Sequence, residues 1–399
     1  MLEAARVQGA GEPFDREPPA ETDVLIIGGG IAGCSTLHHL VRRGVEATLI
    51  EQDRVGGGAT AAAVGVLSPP LRQPFHETAH RRGEDAARAI WELCGRSVKG
   101  LAAALEEEGA AGEAALDLSG GHVLAEGHSH HAVRRSFEAL ERVGIAVEWL
   151  EGERVRAETG GRGFTGGYRL EGGGSLSPGP AAVALARGAR ARGARVVEGV
   201  EALAVERAPG GITCHTPSGD VKCRRVVYAT HVESRRFSTL LGEEIVPIRG
   251  QGLALQAPPG PRIRGGFATH WKLNVWRRAP SGDVILGGWR HDAWDRAYGQ
   301  REARIDERLQ RDLLEWSRSM FPEWGEPRVA ARWSGVFGWT ADYLPLVGPL
   351  SDAADELVIA GFSGGGLPFA FECGRALAAM IVGDDPVPGA ELLNPRRFA

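Results

Sequence analysis

Residues 24 to 51, VLIIGGGIAGCSTLHHLVRRGVEATLIE, constrain the fold more than any other stretch of this chain. Short apolar runs flank one amphipathic segment, a pattern that spells strand, loop, helix and strand. Two parallel strands joined by a helix need further strands beside them and helices on both faces, so the chain is expected to open a doubly wound α/β sheet.

The loop between the first strand and the helix carries Gly28, Gly30 and Gly33 in G-x-G-x-x-G order. The first glycine permits the tight turn, the second lets the backbone approach a pyrophosphate, and the third brings the helix against the strand. The helix amino terminus presents N–H groups and partial positive charge to an anion, and Glu51, ending the second strand, is placed to accept hydrogen bonds from ribose hydroxyls. An adenine dinucleotide is the ligand these residues imply. The loop alone does not separate FAD from NAD.

The 399 residues exceed what one hydrophobic core usually serves, and 43% of them are hydrophobic, so two domains are expected. A net charge of -5 leaves no basic surplus to neutralise phosphates, which argues against nucleic acid as a partner. All but three of the 46 basic residues are arginine, so no single arginine marks a site by its presence alone. No apolar run reaches the roughly 18 residues of a membrane span. Acids and prolines fill MLEAARVQGAGEPFDREPPAE, so residues 1–21 read as a loose, disordered tail without the marks of a signal peptide. The five cysteines, Cys34, Cys94, Cys214, Cys223 and Cys373, lack zinc-site spacing, and their odd number speaks for a reducing cytoplasm. In ITCHTPSGDVKCR, a turn over Pro217 to Asp220 places Cys214 opposite Cys223, as two reduced thiols or, alternatively, as a disulfide. His128, His130 and His131 stand without a nearby carboxylate or cysteine and read as solvated surface, so no metal site is expected.

Further along, residues 77 to about 109 are helical in pattern, LSGGHVLAEG is strand-like, and HAVRRSFEALERVGIAVEWL reads as a helix and a strand. Ser177 and Pro178 suit the cap and first position of another helix, which leads into the strand ARVVEGV. RRVVYAT reads as a short buried strand, and IVPIRGQGLALQ, HWKLNVWRRAP and GDVILGGW as members of an antiparallel sheet. ELVIAGFSGGGLPFAFECGRALAAMIVG then repeats the opening theme of strand, glycine turn and helix.

Four further segments bring in a resemblance. GATAAAVGVLSP (58–69), the stretch from Gly173 to Val200, GWTADYLPLVGP (338–349) and GFSGGGLPFAFECGRALAAMI (361–381) resemble, in order, segments of the flavoprotein family that contains glycine oxidase, D-amino-acid oxidase and sarcosine oxidase. The third is similar to that family's Thr-x-Asp-x-x-Pro-x-x-Gly signature. The resemblance implies FAD, and an α/β fold in which a Rossmann-like FAD-binding domain interleaves with an α+β substrate domain on a mainly antiparallel sheet. It assigns residues 22–90, 155–235 and 335–399 to the first domain and 91–154 and 236–334 to the second. It places at the cofactor Gly28, Gly30, Ile31, Ala32 and Gly33 of the loop, with Glu51 and Gln52. To these it adds Gly58, Ala59, Thr60, Gly65, Val66 and Leu67, then Val200, Ala229, Thr230 and Gly335. Last come Gly361, Gly364, Gly365, Gly366 and Leu367, where a helix dipole near Leu367 suits the negative charge of reduced flavin.

Members of that family oxidise a carbon bonded to an amine nitrogen, pass hydride to the flavin and leave an imine that water hydrolyses. The departures bear on substrate. Phe337 and Gly364 occupy the places of the family's carboxylate-binding arginines, Ile285 that of a lysine that assists oxygen, and no cysteine lies near Phe337 for covalent attachment, so noncovalent FAD is implied. YATHVESRRF and RWSGVFGWTADYLPLVGP look closest to the amine branch, such as gamma-glutamylputrescine oxidoreductase, and His231 replaces the small or amide residue common after the Ala-Thr of such segments. The expected pocket residues are His270, Trp271, Trp276, Arg277, Phe337 and Trp339, as aromatic walls for a cationic amine. The expected partners are a small amine or amino acid and oxygen or another electron acceptor. Two alternatives stand beside this reading: a glycine or D-amino-acid oxidase with a relocated carboxylate-binding arginine, and a flavin-bearing subunit of a multi-chain dehydrogenase.

Overall fold

A computed structural model describes residues 12–68, 73–256, 263–269, 274–288 and 294–398. The opening strand Glu21–Ile27 lies at the centre of an eight-stranded sheet, flanked by Ala47–Glu51 on one side and Val221–Tyr228 on the other, both parallel to it. Arg195–Glu198 extends the first side, and Glu356–Ala360 with the antiparallel Leu346–Pro349 extends the other. Residues 24 to 27 pair one-to-one with 47 to 50 and with 225 to 228, so the carboxyl ends of three strands lie side by side. A crevice at the point where strand order reverses is where such sheets bind ligands.

The helix Ile31–Val41 covers one face, packed between Pro178–Ala191 and the last helix Gly366–Val382. It is buried over ten of its eleven residues, including His38 and His39, which contact the Phe371 ring of the last helix. Ser177 caps Pro178–Ala191 and Pro178 opens it, as the sequence predicts. The helical pattern from 77 resolves into two helices, Phe75–Arg82 and Glu84–Glu107, because Gly83 turns at φ +88°.

The second sheet also has eight strands, in the order Val329–Trp339, Val246–Leu255, Val284–Gly287, Val275–Arg278, Gly266–Thr269, Gly121–Glu126, Phe164–Leu170 and Val147–Glu151. All neighbours run antiparallel except Gly266–Thr269 with Gly121–Glu126. Strand pairing therefore departs from the expected boundaries at 155 and 335. Phe164–Leu170 lies inside the second sheet, where a Cβ on Gly167 would approach the Val123 carbonyl to 2.6 Å. Val329–Trp339 stays in that sheet to its last residue, whereas Glu84–Glu107 packs on the last helix.

Two further expectations are corrected. Within the expected loose tail, residues 12–20 lie on the first sheet: Phe14 is buried under the Arg190 guanidinium, and Asp15 exchanges backbone bonds with Val196 and Glu198 at 3.0 and 2.9 Å. The hairpin register sets Cys214 against Val221 and Cys223 against Ile212, because the turn closes one residue earlier, with the Thr216 hydroxyl donating to the Gly219 carbonyl. All five thiols are free and buried. No helix among the described residues is long and apolar enough to cross a membrane.

Candidate active site

A cavity of about 670 Å³ runs from the carboxyl ends of the parallel strands to the second sheet. That lies within the usual size of a ligand site. At one end, Gly28 turns at φ +111° directly beneath Ala229, whose carbonyl a Cβ would approach to 2.6 Å. A Cβ on Gly33 would lie 2.0 Å from the Gly28 carbonyl, so this glycine lets helix and strand touch and does not itself line the cavity. The Thr60 hydroxyl accepts the Ile31 amide at 3.0 Å, tying residues 58–62 over the helix start.

Glu51 sits at the end of its strand with Oε2 accepting the Gly29 amide at 2.7 Å and Oε1 accepting the Asp53 amide at 2.9 Å. Burial pushes its carboxyl above the ordinary range, against the pull of those two amides. Each carboxylate oxygen keeps further lone pairs, and both hydroxyls of a ribose are suitable donors for them. Gln52, Gly58, Ala59, Thr60 and Val200 complete this end of the lining.

The opposite end joins the last glycine turn to the second sheet. Ser363 and Gly364 adopt φ +51° and +86°, and Gly365 precedes the last helix without a side-chain cap. Gly364, Gly365, Gly366 and Leu367 all line the cavity, leaving an uncapped 17-residue helix pointing its amino terminus there. The Ser363 amide donates to the Gly338 carbonyl at 2.9 Å, and the Thr340 amide to the Ser363 hydroxyl at 3.1 Å. Asp342 of the same signature does not face the cavity. Burial works against its charge, but Arg397 and Arg82 donate to it and hold the carboxyl below the ordinary range, so it anchors the chain's end to the signature loop.

Val64, Val275 and Gly287 form the floor of the cavity beside the second sheet, with Gln251, Trp333, Phe337 and Tyr343 around it. The Trp333 indole donates to the Ala62 carbonyl at 3.0 Å, and Gln251 donates to the Ser334 hydroxyl and accepts from Gln310 and the Asp306 amide. Tyr343, at φ +65°, stands edge-on to Trp339 with centroids 5.3 Å apart. Arg301 also lines the cavity, with its side chain exposed.

Of the expected pocket residues, Phe337 lines this wall. Trp339 packs behind it against Ile248 and Ala297. Trp276 and Arg277 are adjacent on one strand, so their side chains point to opposite faces and only one of them has any prospect of reaching a common pocket. Neither lines it. Trp276 is fully buried and stacked on Phe267 and Phe164, in the core beyond the sheet. Arg277 is equally buried beneath the cavity floor, donating to the Val64 carbonyl at 2.6 Å and to the Ser177 hydroxyl at 3.4 Å. His270 and Trp271 lie outside the described residues. Among the expected cofactor residues, Leu67 and Gly361 do not line the cavity; Leu67 belongs to the core and Gly361 turns at φ +71° against Thr340. Gly30, Ala32, Gly65, Val66, Ala229, Thr230 and Gly335 do line it. Sequence reasoning did not single out Gln251, Trp333, Tyr343 or Arg301, although Trp333 and Tyr343 lie within the segment RWSGVFGWTADYLPLVGP that carries the resemblance to the amine branch.

The residues present fit FAD: a glycine loop open to a pyrophosphate, an acid at the ribose position, and a second helix start at the far end of one cavity. Residues 23–380 match the family of FAD dependent oxidoreductases called DAO. The chain is 27% identical over 371 residues to a glycine oxidase of Bacillus licheniformis, covering 91% of this chain and 93% of that one. It is 24% identical over 386 residues to the gamma-glutamylputrescine oxidoreductase of Escherichia coli, covering 93% and 86%. In three dimensions it resembles the glycine oxidase of Geobacillus kaustophilus with a TM-score of 0.80 at 21% identity, over 94% of this chain and 98% of that one. With the family match running over nearly the whole length, and the glycine loop, Glu51 and a second helix start all lining one cavity, this chain belongs to the DAO family of FAD dependent oxidoreductases.

Proposed function

We propose that this protein oxidises the C–N bond of a primary or secondary amine to an imine. The observation that carries the reading is the continuity of the cavity, which joins Glu51 and the glycine loop to a wall of Trp333, Phe337 and Tyr343 on the second sheet. FAD, when bound, accepts a hydride from the carbon beside the nitrogen. The chain's own part is to hold the substrate in line and keep water away. Phe337 and Trp333 supply apolar surface for the carbon chain, and aromatic faces favour a cationic amine group elsewhere on a polyamine. FAD is held noncovalently in this reading, since every cysteine is buried and none lines the cavity among the described residues. Acid precipitation is expected to release all the yellow colour into the supernatant.

Arg301 favours a second reading, an amino-acid substrate. No described arginine stands at either of the two positions noted above, Phe337 and Gly364, and Arg277 is engaged below the floor. A guanidinium at the cavity mouth can read a carboxylate by a two-pronged contact. Anaerobic flavin reduction by the purified chain, with glycine, sarcosine, D-alanine, alkylamines and polyamines at equal concentration, separates the two. Faster bleaching by an amine supports the leading reading. Faster bleaching by the small amino acids, lost in Arg301→Ala, replaces it with the second.

A further inference from the structure

His231 follows the strand Val221–Tyr228 and adopts φ +51°, a left-handed backbone that is uncommon outside glycine, although histidine takes it more readily than most side chains. Such strain persists where the surrounding structure holds it, and it gathers at ligand sites. Two other non-glycine residues of positive φ, Tyr343 and Ser363, also line the cavity.

The Nε2 of His231 accepts the Gly338 amide at 3.0 Å. A ring nitrogen that accepts an N–H carries no proton, so the neutral ring bears its hydrogen on Nδ1. Burial keeps the ring neutral, with its pKa lowered to about 4. Nδ1 is itself buried and has no hydrogen-bond partner among the described residues, and the residue lines the cavity. A buried donor without an acceptor is unfavourable, and such groups are satisfied by a ligand or by water.

The position narrows the ligand. Thr230 and Ala229 stand beside Gly28 at the pyrophosphate loop, while Gly338 and Phe362 belong to the flavin-side turn, with the His231 and Phe362 ring centroids 6.4 Å apart. His231 therefore occupies the wall midway along the cofactor's path. We propose that His231 is a cofactor-binding residue that donates its Nδ1 hydrogen to an acceptor oxygen of bound FAD, with the Gly338 amide fixing the ring tautomer that makes this possible. The proposal rests on FAD as the cofactor and is independent of the substrate.

The test is FAD affinity in His231→Gly, titrated by quenching of flavin fluorescence on the apoprotein, alongside the melting temperature of the apoprotein. Glycine accepts φ +51° without strain. Loss of one cofactor hydrogen bond predicts a roughly tenfold rise in Kd. A ring that merely caps Gly338 would lower the apoprotein melting temperature and leave Kd unchanged, and that result overturns the proposal. His231→Asn, which tolerates left-handed backbone, is the companion should the glycine variant fail to fold, and the same rise in Kd is expected of it. In protein labelled with 15N-histidine, the His231 Nδ1 proton should shift on addition of FAD. A ring protonated on Nε2 in the FAD-bound state also overturns the proposal. Failure of the unaltered protein to bind FAD would instead overturn the cofactor itself.

Discussion

The two ends of the cavity are built on different principles. At the glycine-loop end the lining is mostly main chain and small residues: the turn at Gly28, then Gly30, Ile31 and Ala32 at the start of a helix, with Glu51 the chief polar side chain. At the substrate end it is side chain: Trp333, Phe337, Tyr343, Gln251 and Arg301, projected from strands and loops scattered between 251 and 343. A surface made of backbone demands particular residues at particular spacings, because only glycine permits the required approach. A surface made of side chains demands only size and polarity, which many sequences supply.

The contrast predicts that damage to one end leaves the other standing. The largest effect is expected at Trp276→Ala, which empties a fully buried stack in the second sheet and should cost about 3–5 kcal/mol of stability. Chemical denaturation measures the loss, and FAD affinity of the molecules that remain folded should be unchanged. A weakened cofactor would show that the two ends are not separable. Next is Glu51→Ala, expected to weaken FAD binding by about 3 kcal/mol, or about a hundredfold, since charge-assisted bonds are lost at a partly buried site. Full flavin occupancy after dialysis would contradict the assignment of Glu51 to the ribose.

Acid should act first on the nucleotide side. Burial lowers His39 to about 2 and His38 to about 4, both packed against Phe371 behind the glycine-loop helix. Unfolded histidines take up a proton near pH 6.5, whereas these resist it, so stability is full above that pH and is lost as pH falls toward 4. At pH 5 the cost from His39 is about 2 kcal/mol. Melting temperature measured between pH 7 and 5 should fall less in His39→Leu than in the unaltered protein. The smallest effect is Phe337→Ala, expected to raise KM for the preferred substrate by roughly five- to tenfold, about 1 kcal/mol, with little change in melting temperature. A KM that stays put would remove Phe337 from the substrate wall.

Legibility followed the same division. Gly28, Gly30, Gly33 and Glu51 were readable because each answers a geometric demand made by neighbours close in sequence. The opening strand, helix and strand were readable for the same reason, as was the antiparallel character of the second sheet. Trp276 and Trp333 show why the rest was not. Both are tryptophans on strands, yet one is sealed in the core and the other lines the cavity, a difference set by which face of the sheet each strand turns to the first domain. That choice depends on register among segments far apart in sequence, such as Gly121–Glu126 and Gly266–Thr269. Phe164–Leu170 was missed as a member of the second sheet: no strand was read over its Gly166 and Gly167, whereas Gly167 is required there by the close approach of Val123.

The short segment around Asp15 has one more consequence. Arg195–Glu198 is the outermost strand on its side of the first sheet, and an outer strand with free amides and carbonyls invites pairing with another molecule. Asp15 occupies Val196 and Glu198 in register, while the Phe14 ring under Arg190 pins the segment in place. Phe14 and Asp15 thus cover part of that strand edge. Shortening the chain to begin at Glu21 would leave every cofactor contact in place and yet make the protein prone to aggregate, a liability of colloidal behaviour and not of chemistry.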